Sequence, residues 1–118
     1  MNKSISFMIT LHEYIRVEDQ YINAINEILL RLKIDNLYIK DYTENNLKRK
    51  EKDNAMITIQ ECDDLARRIL RNELTHCIFF YPKKFRLSFG FGYYMYISCN
   101  LRSESMRKIL TKYNLYCE

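Results

Sequence analysis

Residues 4–12 alternate in polarity: Ile5, Phe7, Ile9 and Leu11 fall on one side, and Ser4, Ser6, Thr10 and His12, joined by Met8, on the other. That period of two predicts a strand with one face in a core. From Val17 to Lys33 the period lengthens, with Val17, Tyr21, Ala24, Ile25, Ile28, Leu29 and Leu32 recurring at helical steps. This is the apolar stripe of an amphipathic helix, and Glu18 and Asp19 at its start and Arg31 and Lys33 at its end suit the helix dipole. Asp35-Asn36 then turns the chain into a short strand, Leu37 to Tyr42. Strand, helix and strand in succession predict a parallel pair. Residues 43–54 carry Glu44, Lys48, Arg49, Lys50, Glu51, Lys52 and Asp53 with Leu47 as the sole apolar residue, which predicts an exposed, mobile, charged loop.

Thr58 followed by Glu61 has the capping-box spacing, in which each side chain satisfies the other residue's backbone N–H, and Ile57 and Cys62 stand at the positions of a hydrophobic staple. The helix so announced buries Cys62, Leu65, Ala66, Ile69 and Leu70 and runs to about Leu74, with Asp63 and Asp64 assigned to its positive first turn. Cys77 to Tyr81 is apolar at both parities, as in a central strand covered on both faces. Pro82-Lys83-Lys84 reverses the chain, and Gly90-Phe91-Gly92 reads as a three-residue hairpin loop that pairs Phe89 with Tyr93. In that register Phe85, Leu87, Phe89, Tyr93, Met95 and Ile97 face the core. Arg86, Ser88, Tyr94, Tyr96 and Ser98 face outward, with Tyr96 opposite Arg86 and Tyr94 opposite Ser88. Met106, Ile109, Leu110 and Tyr113 give a last helix capped by Asn100 or Ser103, and 115–117 is too short to assign.

The elements sum to one α+β domain spanning 1–118, ordered β-α-β-α-β-β-β-α. Its sheet is mixed, mainly antiparallel and about five strands wide, with the helices packed on it, chiefly on one face. A chain of 118 residues has room for one core, and a charged fraction of 29% with 47% hydrophobic residues is ordinary for a globular protein. No apolar run reaches membrane-span length and no signal-peptide block precedes the first strand, so a cytoplasmic protein without a membrane partner is expected. Cys62, Cys77, Cys99 and Cys117 lack the paired spacing of a zinc site, so buried, reduced thiols and no metal are expected.

Chemistry is sparse. His76 and Cys77 are neighbours on a strand and so point to opposite faces, which denies them a thiolate–imidazole bond. The two glycines form no phosphate-cradling loop, and no cofactor is expected. The net charge of +4 is modest. Tyrosine and arginine are the residues enriched at the energetic centres of protein interfaces. By elimination the expectation is a non-enzymatic protein-binding module in a heteromeric complex, a small inhibitor or immunity-type protein that neutralises a toxin or enzyme. Its contact residues would be Arg86, Tyr94 and Tyr96 on the hairpin and Arg67 and Arg71 on the second helix. A small enzyme with an unrecognised site is the remaining class.

Gly90-Phe91-Gly92-Tyr93-Tyr94-Met95-Tyr96 resembles the RNP1 motif of RNA-recognition-motif domains, and Leu37-Tyr38-Ile39-Lys40-Asp41 looks like its companion RNP2 strand. Phe89 stands where the motif has a basic residue and Tyr94 where it has a small aliphatic one. The resemblance implies an RNA-binding alternative in which Tyr38, Tyr93, Phe91 and Tyr96 stack on bases while Lys84 and Arg86 meet phosphates.

Overall fold

In a computed structural model that describes residues 5–11, 17–90 and 94–117, the chain runs β1 (Ile5–Leu11), α1 (Val17–Arg31), β2 (Asn36–Glu44), β3 (Leu47–Lys48) and a 3-10 turn (Lys50–Lys52). It continues through β4 (Met56–Thr58), α2 (Ile59–Leu70), β5 (His76–Tyr81), β6 (Phe85–Phe89), β7 (Met95–Cys99), α3 (Ser103–Lys112) and β8 (Leu115–Cys117). The strands form one sheet in the order β3-β2-β5-β6-β7-β1-β8, with β4 also on β2, and every strand pairing is antiparallel. The α+β class stands, while the expected parallel pairing of β1 with β2 does not. Those two strands are separated by β7, β6 and β5, because β1 inserts between β7 and β8.

The start of α2 is set by its sequence, while α2 ends at Leu70, short of the expected Leu74, and α3 lacks the expected cap from Asn100 or Ser103. Thr58 Oγ1 accepts from the Glu61 N–H at 3.1 Å and Glu61 Oε1 accepts from the Thr58 N–H at 3.0 Å, completing the capping box. Helix α3 starts one residue after Arg102, with no side-chain cap. The charged segment after β2 is exposed, as expected, yet it is built into the sheet. Asn45 and Asn46 both have positive φ, 53° and 62°, as a two-residue turn matched to strand twist demands. The returning chain follows β2: Arg49 N–H donates to Tyr42 O, Asn54 N–H to Ile39 O, and Ile57 pairs with Leu37.

Burial alternates strictly in β6 and β7. Phe85, Leu87, Phe89, Met95, Ile97 and Cys99 join one core with Tyr21, Ile25, Ile28 and Leu29 of α1, Cys62 and Ala66 of α2, and Met106, Ile109 and Leu110 of α3. Ring contact between Tyr21 and Phe89, edge-on at 6.2 Å, seats α1 on the sheet. All three helices thus lie on one face, and the shortest extent of 22 Å leaves room for a single helix layer. Strand β5 is interior, as its apolar run suggested, but helices cover only the Cys77 and Phe79 side. Ile78 is buried without belonging to the core.

Candidate functional site: the helix-free sheet face

Residues paired across antiparallel strands share a face, so the ladder places the outward side chains in rows. One row runs Met56, Tyr38, Phe80, Arg86, Ser98 through four consecutive pairings. Beside it, Lys40 pairs with Ile78 and Ser88 with Tyr96. The hairpin turns one residue later than expected, since Phe89 pairs with Met95, not with Tyr93, and the Gly90 N–H meets the Tyr94 carbonyl. Arg86 therefore faces Ser98, and Tyr96 faces Ser88. Because the shift is by two residues, the side chains of β6 and β7 keep their predicted faces.

Rings meet at the edge of this face, where Tyr81, paired with Phe85 and packed against the core, lies beside Tyr38. Tyr38 lies 5.9 Å from Phe80 and 6.1 Å from Tyr81, both tilted. The Lys40 ammonium sits over the Phe80 ring at 5.4 Å, and that of Lys84 over Tyr81 at the same distance. Tyr96 leans across Gly90, whose missing Cβ would stand 2.8 Å from Tyr96 Cε2. The Gly90 N–H donates to the Tyr94 carbonyl at 2.9 Å, closing the loop that starts there. Met56 and Tyr96, 66% and 42% exposed, are the large apolar groups that this face leaves open. Arg86 is exposed and has no ion partner among the described residues.

Carboxylates are nearly absent from the sheet. Only β2 among the strands contains any, Asp41 and Glu44, and both are engaged: Asp41 with Lys48 at 2.7 Å and Glu44 with Arg68 at 3.0 Å. The hydrogen bond from Lys48 holds the Asp41 carboxyl below its usual range. No family model, curated protein or solved structure matches this chain.

The other sequence-designated residues lie elsewhere or are already occupied. Arg67 and Arg71 are on the helix layer, where Arg67 meets Glu18 at 3.2 Å and Asp19 at 3.0 Å, and Arg71 meets Glu18 at 2.7 Å. They clamp α2 to the start of α1, and chiefly the Arg71 bond holds the Glu18 carboxyl low. At the other end of α1, Glu27 accepts from Lys112 and Tyr113 of the α3 end at 2.9 and 2.7 Å. Of the four stacking positions implied by the RNA-recognition-motif resemblance, Tyr38 and Tyr96 are on β2 and β7 with β5 and β6 between them. At three strand spacings, about 14 Å, they make no side-by-side platform. Phe91 and Tyr93 lie outside the described residues.

Asp63 was missed as a distinctive group. It falls in the second turn of α2, not the first, and accepts a hydrogen bond from Asn26 Nδ2 of α1 at 3.2 Å. Its Oδ1, like Asn26 Oδ1, is buried with no hydrogen-bond partner among the described residues. Burial raises its carboxyl above the ordinary 3.8. Cys77 is also desolvated, its thiol pushed up to about 12, a value that leaves it unreactive as a nucleophile. Among the described residues, no three His, Cys, Asp or Glu side chains gather into a metal-binding group. No described helix is long and apolar enough to cross a membrane.

Proposed function

We propose that this protein is a non-enzymatic protein-binding module, a small cytoplasmic inhibitor or immunity-type protein that neutralises another protein by docking on it through the helix-free sheet face. One observation carries the reading: the helices cover only one side of the sheet. The uncovered side holds Met56, Tyr38, Phe80, Arg86 and Tyr96 together. A two-layer fold gains nothing in stability from an exposed arginine and tyrosine there, whereas aromatic, methionine and arginine groups are the ones that carry interface energy. On the helix side, by contrast, Arg67 and Arg71 of α2 are tied up internally.

The test is affinity capture from the native cell after nuclease treatment. One protein is expected to co-purify in stoichiometric amount, and Arg86→Glu or Tyr96→Ala is expected to release it while the far-ultraviolet spectrum stays native. Recovery of nuclease-sensitive material alone would sink the proposal in favour of RNA binding. Capture that survives both substitutions would move the docking surface off this face.

A further inference from the structure

We infer that the partner of this face presents an acidic surface, with carboxylates set among apolar groups and received by Arg86 and Lys40; this rests on the docking reading above. The described carboxylates on the strands of this face are paired, whereas Arg86 is not. These strands contain no carboxylate beyond Asp41 and Glu44, and those are neutralised by Lys48 and Arg68. Arg86 stands in the middle of the longer row, flanked in register by Phe80 and Ser98, exposed and without an ion partner among the described residues. Its planar guanidinium offers a fork of donors that matches a carboxylate with two parallel hydrogen bonds. Lys40, one residue pair along the same face, sits over the ring of Phe80 and has no ion pair among the described residues. The surrounding Met56, Tyr38 and Tyr96 would exclude water on docking, and loss of water strengthens a charge pair that is geometrically complete.

A protein fits better than a nucleic acid for two reasons. Base stacking needs open ring faces, yet the Phe80 ring of this face carries an ammonium. A phosphate backbone is followed by a track of cations, whereas the strands of this face supply Arg86 and Lys40 separated by apolar groups.

The experiment titrates the whole protein, labelled for NMR, with poly-L-glutamate, poly-uridylate and phosphatidylserine vesicles in turn. Poly-L-glutamate is expected to shift the amides around Lys40, Phe80, Arg86 and Tyr96, and Arg86→Glu is expected to weaken it by at least about tenfold, roughly 1.4 kcal/mol. Arg86→Lys should retain part of the binding. Tighter binding of poly-uridylate or of the vesicles than of poly-L-glutamate would overturn the inference, as would shifts confined to the exposed Arg107 and Lys108 of α3. The two levels separate cleanly. If the cellular partner is still released by Tyr96→Ala but not by Arg86→Glu, the docking face stands and its acidic complement fails. If no protein is captured at all, both fail.

Discussion

On β6 and β7 the residues that face the helices, Leu87, Phe89, Met95 and Ile97, are at most 8% exposed, while their immediate neighbours Arg86 and Tyr96 stand in solvent. Strands β6 and β7 thus contribute their odd-numbered residues to the core and their even-numbered residues to the open face. The opposite sides of the molecule differ also in how charge is handled. In the helix layer, Glu18 and Glu27 bind Arg67, Arg71 and Lys112, whereas on the sheet face Arg86 has no ion partner among the described residues. Stability and recognition are therefore separable within single strands, and substitutions one residue apart should report on different properties.

The largest expected effect is on the covered side. Phe79, fully buried beneath the helices, should cost about 3–5 kcal/mol when changed to alanine. Urea unfolding checks this, and a cost below about 1 kcal/mol would mean that the core is not organised on β5.

Asp63 comes next, because an apposed helix desolvates it. Its folded-state value is raised, so the folded protein binds the proton more tightly than the unfolded chain, and stability falls as pH rises through that value. Asp63→Asn removes the charge and supplies a donor for the orphaned Asn26 oxygen. It should raise stability at neutral pH by up to about 1 kcal/mol, and the gain should disappear near the unfolded carboxyl value of 3.8. Equal gains at both pH values would show that the carboxylate is not desolvated.

Glu18 has the opposite sign. Its value is lowered by Arg71 and Arg67, so its contribution is present above the ordinary 4.5 and is lost as pH falls through the folded value. Since Arg71 is 54% exposed, Glu18→Gln should cost less than about 1 kcal/mol, and salt should shrink that cost. On the open face, Arg86→Ala and Tyr96→Ala should each change unfolding by no more than about 0.5 kcal/mol, however much they weaken a complex. Gly90→Ala should act chiefly by pushing the Tyr96 ring off the loop, visible in its ring resonances.

Much of this arrangement was legible in periodicity. Alternation separated Arg86, Tyr96 and Ser98 from Leu87 and Ile97 correctly even though the hairpin register was off by two, since an even slip preserves faces. Thr58 and Glu61 marked a helix start because both partners of that motif are local. What stayed hidden was non-local. Nothing in the alternation of β1 says that its neighbours are β7 and β8 and not β2. The spacing of Arg67 and Arg71 showed a common helix face but not that Glu18, on another helix, would occupy it. The Asn45-Asn46 turn was a local signal, obscured by the charges around it that suggested a loop.

The position of β1 also has a consequence in time. Ile5 pairs with Cys99 and Ile9 with Cys117, so the strand made first finds both neighbours only when the strands made last are available. Closing such long loops is entropically slow, and folding of this chain is expected on the order of milliseconds to seconds. Until β1 arrives, the edges of β7 and β8 that it will fill stay unpaired, the stage at which a nascent chain is most open to capture by another copy of itself.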